Sequence, residues 1–142
     1  MTGATAYAGI VTRLSALTVD ALALAAVVPL VGTGVPALWS AATGDTPGWL
    51  RAGAQLVAAF VPPVYFALCW WGTGQTLGGL LFGTAVRRPD GARLSALRAV
   101  ARAFAGLAAA PVWLAGMAVT LWDPRRRALH DRLLGTVVQR RL

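Results

Sequence analysis

The chain has 142 residues, of which 57% are hydrophobic and 13% charged, with a formal net charge of +8; that charged share is about half of what an ordinary soluble domain carries. So few charged side chains cannot cover a water-facing surface, and nothing charged lies between Asp20 and Asp45, between Arg51 and Arg87, or between Arg102 and Asp123, which excludes a soluble globule and calls for lipid. All thirteen basic residues are Arg, with no Lys and no Glu, and they flank apolar stretches instead of alternating with exposed aromatics, so they read as interfacial anchors and topology signals and not as a nucleic-acid surface.

A helix needs roughly 20 apolar residues to cross about 30 Å of hydrocarbon. The first such segment runs from about Ile10 to Trp39. A cleaved secretory signal is its alternative reading, because Arg13 precedes an apolar stretch and small residues follow at Ser40 to Ala42; the long leader and Asp20 at the mouth of the stretch argue against it. The second segment runs from about Trp49 to Trp71. Between them ATGDTPG, with its Gly, Pro and Asp, reads as a tight exposed turn, giving a helical hairpin. Trp39, Trp49, Trp70 and Trp71 fall near span ends, at headgroup level. Pro29, Pro62 and Pro63 are expected to kink the spans. Cys69 lies within an apolar run, which leaves no disulfide framework and no cysteine metal site.

From Gly72 to Arg102 the text turns basic and rich in glycine, with five Arg against one Asp. Within this segment, 73–102, the PDG at Pro89 to Gly91 fits the bend of a short β-hairpin whose first strand is Thr84 to Arg88. Ser95 suits the N-cap of a helix that carries Arg98 and Arg102 into the next apolar run. That third run, Ala103 to Trp122, is interrupted by Gly106, Pro111 and Gly116. A basic tail follows over 123–142, with six Arg and two Asp. LLFGTAVRR at Leu80 to Arg88 echoes RLLGTVVQR at Arg132 to Arg140, and the two are expected to pair in one small sheet. Pairing puts both on one membrane face, so the third segment dips in and returns, breaking near Pro111; a plain third span is the rival topology. The fold class is therefore an all-α membrane protein, one domain over residues 1–142, with a helical hairpin, a re-entrant or spanning third segment and a small cytoplasmic β element.

Asp20 is the sharpest single signal, because a carboxylate at the start of an apolar run is costly and tends to mark an ion pathway, a proton relay or a buried polar contact. Arg13 stands two helical turns earlier, on the same face but about 10 Å away along the axis. The two cannot simply neutralise each other, so Asp20 is expected to take its partner from another segment, Arg102 or Arg132. A structural ion pair that fixes helix register is the competing role.

These residues resemble the RDD family of small bacterial membrane proteins, named for an Arg in the first segment and two Asp. YAGIVTRLSALTVDALAL, Tyr7 to Leu24, is similar to its opening motif and supplies Arg13 and Asp20. ALHDRLLGTVV, Ala128 to Val138, is similar to its closing motif and supplies Asp131. GQTLGGLLFGTAV, Gly74 to Val86, is similar to its middle motif, followed by a turn and an Arg that would be Arg102. Gly79 departs from the pattern, since the family usually has a Lys or other basic residue there. The resemblance implies a membrane protein associated with transport, in some members cation or proton exchange.

Other motifs fail. GTGQTLGG lacks the Lys of a phosphate-binding loop, and His130, the only His, cannot build a metal site beside Asp131. His130 is read as orienting the tail at the interface. The pairs Gly74 with Gly78 and Gly79 with Gly83 suit either close helix packing or loops. The expectation is a multi-pass protein of the bacterial inner membrane, N-terminus cytoplasmic, that is not an enzyme and uses no cofactor and no metal. Arg13, Asp20, Arg102 and Asp131 form a polar cluster near the cytoplasmic face, supported by Gln75, Thr76, His130 and Arg132. Asp20 is its cation- or proton-sensitive member, since burial favours the neutral form of a carboxylate and a neighbouring Arg the charged form. The lipid bilayer is one partner, and a homo-oligomer or a larger membrane protein the other, because so few spans hardly enclose a pathway. The alternative is an accessory or assembly subunit whose basic surface docks a partner or anionic lipid.

Overall fold

The computed structural model describes residues 7–108 and 110–140, with their side chains except those of Trp113, Leu129 and His130. Helix α1, Ile10–Pro29, passes through a π-helical stretch, Leu30–Gly34, into α2, Val35–Thr43. Together they form one apolar helix of 34 residues, Ile10–Thr43, about 50 Å long at 1.5 Å per residue. Gly44, left-handed at φ +84°, ends it, and Asp45 accepts from the Thr46 amide at 2.7 Å to close the turn. Helix α3, Gly48–Gly72, then runs back through Pro62 and Pro63 without a break. Both helices are long and apolar enough to cross a membrane, as the hairpin reading expects.

The π stretch sits between Pro29 and Pro36 for a physical reason. Pro36 has no N–H to give the carbonyl four residues before it, that of Gly32, and inside lipid such a carbonyl needs another donor. Gln55 on α3 supplies it, donating its side-chain amide to the Gly32 oxygen at 3.0 Å. The helices can approach this closely because position 32 has no side chain: a Cβ there would lie 3.1 Å from that of Ala58.

After α3 the chain forms α4, Leu77–Leu81, and strand β1, Thr84–Arg87. A turn follows, in which the Arg88 oxygen accepts from Gly91 and the Arg88 amide donates to Ala92, both at 2.9 Å. The bend at the PDG is thus formed, but no strand follows it; residues 92–95 have no regular secondary structure. Ser95 caps α5, Ala96–Ala108, accepting from the Arg98 amide at 3.4 Å. Helix α6, Ala110–Gly116, continues as a 3₁₀ turn, Met117–Leu121. Short α7, Leu129–Leu134, closes on Gly135 at φ +60° and gives way to β2, Val137–Arg140.

Strand β1 finds its partner at the far end of the chain. It pairs antiparallel with β2 in the register Thr84 to Arg140 and Arg87 to Val137, and Tyr7 bridges to Gln139 on the other edge of β2. The echoed segments therefore join, and the chain that leaves β1 through α5 returns through α6 to the same sheet. The two apolar arms meet at 98°, just before Pro111, whose ring clashes with the carbonyl of a continuing helix. An arm of 13 residues reaches only about 20 Å, short of the hydrocarbon thickness.

Two small cores hold this together. Ala8, Val86, Leu94, Ala99 and Val138 pack under the sheet, and Phe66, Ala67 and Ala103 join α3 to α5, with Trp70 touching both sets. Trp39, Trp49 and Trp71 are exposed, as span-end tryptophans should be; Trp70 turns inward instead.

Candidate functional site

Asp131 is wholly buried and is the hub of the first polar group. It is the third residue of α7 and reaches back to the Ala128 amide at 3.1 Å, satisfying a helix-start donor. Its other contacts come from distant segments: the Arg13 guanidinium of α1, the Arg102 guanidinium of α5 at 2.7 Å, and the Thr136 hydroxyl at 3.1 Å. Arg13 also donates to the Ala8 carbonyl at 3.1 Å and to the Arg126 carbonyl at 2.6 Å. Arg126 stands in the left-handed region at φ +47°, a conformation that an L side chain adopts at a cost and that aims its carbonyl at Arg13. Arg102 hydrogen-bonds Thr136 and lies 5.0 Å above the centre of the Trp70 ring, so an aromatic face shares its charge.

Asp20 forms a second, separate group. It is 2% exposed and accepts from the Tyr65 hydroxyl at 2.7 Å and from the Gly78 amide at 2.8 Å. Tyr65 in turn accepts from the Leu77 amide at 2.9 Å, and Thr76 from the Gly79 amide at 3.0 Å. The first three amides of α4 thus point at Tyr65, Asp20 and Thr76. Gly78 allows α4 to lie on α1, since a Cβ there would come within 1.9 Å of the Ala16 carbonyl oxygen.

The expectation that Asp20 pairs with Arg102 or Arg132 is corrected: Arg102 is taken by Asp131 and Thr136, and Arg132 binds Asp123 at 3.0 Å. Among the described residues Asp20 makes no ion pair. The four residues read as one cluster are two groups, Arg13–Asp131–Arg102 and Asp20–Tyr65–Gly78. Both border one cavity of about 340 Å³ between α1, α3, α5 and α6, with Arg13, Asp20, Thr76 and Arg102 at its polar end and Leu24, Leu107 and Leu114 in its apolar wall.

The supporting residues divide. Gln75 donates to the Thr84 carbonyl at 3.1 Å and ties the chain just before α4 to β1, Thr76 caps α4, and the side chain of His130 lies outside the described residues. Arg132 belongs to a tail group in which Arg127 grips Asp123 at 3.0 Å; that contact holds the Asp123 carboxyl down at about 2 and raises the Arg127 guanidinium. Gly79 explains its own departure, because a Cβ there would press on the Thr84 carbonyl at 3.0 Å. Of the glycine pairs, Gly78 serves close packing, while Gly74 and Gly83 are left-handed turn residues at φ +78° and +61°. Sequence reasoning missed Tyr65, Gln55 and Thr136. Only Thr136 carried a signal, its place after Gly in both echoed segments. Among the described residues no cluster of three His, Cys, Asp or Glu could hold a metal ion.

Compared with known families, residues 7–135 match the family model described as RDD family. No curated protein and no solved structure matches the chain.

Proposed function

The chain belongs to the RDD family, and from that premise we propose that it is a transport-associated protein of the bacterial cell membrane in which Asp20 binds a proton or small cation. The observation that carries this reading is the carboxylate itself. Asp20 is buried in an apolar helix, borders a cavity, and is held by a hydroxyl and an amide. A carboxylate with neutral partners can take a cation without first breaking a salt bridge, and intramembrane carboxylates are retained chiefly for such work. The Arg13–Asp131–Arg102 group has the opposite character, with ionic and backbone partners on every side, and acts as the tie between α1, α5 and α7.

Two long helices and one bent arm do not enclose a pathway, so the transporting unit is a homo-oligomer or a complex with a larger membrane protein. No catalytic chemistry is assigned. The positive-inside tendency supports a cytoplasmic N-terminus, because Arg51 is the only described arginine near the 44–47 loop, while Arg93, Arg98, Arg125 and Arg126 are exposed near the sheet. Those exposed arginines also favour a second reading, an accessory subunit that docks a partner through its basic face.

One substitution separates the two. Asn at position 20 can still accept from Tyr65 and Gly78, so Asp20→Asn keeps the shape and removes the charge. In proteoliposomes carrying a pH or sodium gradient, the transporter reading expects ion flux from the wild type and none from Asp20→Asn, with the oligomer intact by size. Absence of flux from both, with assembly altered by the substitution, would establish the accessory reading instead.

A further inference from the structure

We propose that the cavity between α1, α3, α5 and α6 is a binding site for an uncharged amphiphile taken from the bilayer, a long-chain molecule whose single hydroxyl group lodges beside Asp20. This goes beyond the ion reading and stands without it.

Three observations lead there. At about 340 Å³ the cavity falls within the size range of ligand pockets, roughly 300 to 1,000 Å³, and it shares their make-up of apolar walls with a few convergent polar groups. Leu107 and Leu114, which line it, are 41% and 52% exposed. These two wall residues thus also form part of the exposed apolar surface of α5 and α6, the surface that faces lipid in a membrane-spanning reading. At the other end Asp20 and the hydroxyl-bearing Thr76 and Thr84 line it, offering acceptors and donors to a small polar head.

Charge then selects the head. Arg13 and Arg102 contribute two positive charges and Asp131 one negative, through their shared ion pairs; with the Asp20 carboxylate of the second group, these four side chains sum to zero. A fatty-acid carboxylate would meet the Asp20 carboxylate, and a trimethylammonium, unlike a proton or a small cation, has no N–H for Asp20 and is too bulky to approach it closely; each brings its charge into apolar surroundings at a cost that a neutral head avoids. An alcohol can donate to the Asp20 carboxylate and accept from Thr76 or Thr84, and it leaves the balance untouched.

The test uses the full chain in nanodiscs, with every tryptophan but Trp70 replaced by Phe, since Trp70 lines the cavity. A chain-brominated dodecanol is the quenching probe, and unlabelled dodecanol, dodecanoate and dodecyltrimethylammonium are the competitors. The expected result is saturable quenching that dodecanol reverses and that the two charged chains reverse about tenfold less well, or worse. Gly106→Leu, which fills the cavity, should abolish the saturable part. Asp20→Asn, which leaves a net positive charge, should shift the preference toward dodecanoate. Quenching that follows bulk partition without saturating, or competition that ignores the head group, overturns the proposal. So does saturable quenching that survives Gly106→Leu.

Discussion

Asp131 and Arg132 are neighbours in sequence with opposite consequences. Removing the Asp131 charge leaves Arg13 and Arg102, each with a side chain about 4% exposed, without the carboxylate between them, and breaking a buried pair of this kind costs about 3–5 kcal/mol. Asp131→Asn should therefore lower the melting temperature in detergent sharply, whereas Arg132→Ala, whose side chain is 46% exposed, should leave it unchanged within error because exposed pairs are worth little. Equal effects would show that the buried triad is not the tie described above. The other Asp of the tail gives a pH prediction. Asp123 is held at about 2 by Arg127 instead of the ordinary 3.8, a depressed carboxyl, so its contribution is complete above about 3.8 and is lost as the pH falls toward 2. The fluorescence of the adjacent Trp122, with the other tryptophans replaced by Phe, should report loosening of the 123–128 segment in that window, and a transition centred above pH 4 would contradict it. Residue chemistry was only partly legible. That Asp20 needed a partner followed from the cost of burying it; which partner did not, because a search for opposite charges overlooks a tyrosine hydroxyl and a backbone amide.

At the scale of elements, the Gln55 contact to Gly32 joins the hairpin where α1 passes into α2, and its value depends on Pro36. With Pro36 present, Gln55→Ala leaves the Gly32 carbonyl buried and short of a donor, a loss of about 1–3 kcal/mol. In a Pro36→Ala background the helix regains an N–H, so the same change should cost less, and the two substitutions should be coupled in a double-mutant cycle. Additive effects in thermal unfolding would sink the account. This contact could not be read in advance, because a lone Gln in an apolar run carries no mark of the proline that needs it. The strand pairing could be read, since one pattern of helix end, Gly-Thr and β-prone run occurs twice. Each copy spends its glycine, Gly83 or Gly135, on a left-handed turn that only a residue without Cβ adopts freely, which is why the echo was structural and not a chance of composition. The PDG misled for the opposite reason: a turn motif fixes a bend and says nothing about whether the chain after it meets a strand.

At the scale of the molecule, the sheet fixes the topology. Because β1 and β2 are hydrogen-bonded and Tyr7 joins the same ladder, the start of α1, the segment after α3 and strand β2 lie together, and the 44–47 loop lies at the far end of two long helices. The third apolar segment is then expected to leave and return on the sheet side, a path that its 98° bend fits and a straight span does not. Length and hydropathy announced the two spans but left this point open, since both a bent and a straight third segment bury the same residues in lipid; it is the long-range pairing that argues for the bent one. Single cysteines in a Cys69→Ser background make the decision measurable, because Asp45, Asp90 and Arg125 are all exposed. In oriented vesicles Asp90→Cys and Arg125→Cys should react with an impermeant maleimide from one side and Asp45→Cys from the other. If Arg125→Cys reacts together with Asp45→Cys, the third segment crosses, the two strands cannot pair, and the Asp131 tie to Arg13 fails with them, since α7 would stand on the wrong side of the membrane to reach α1.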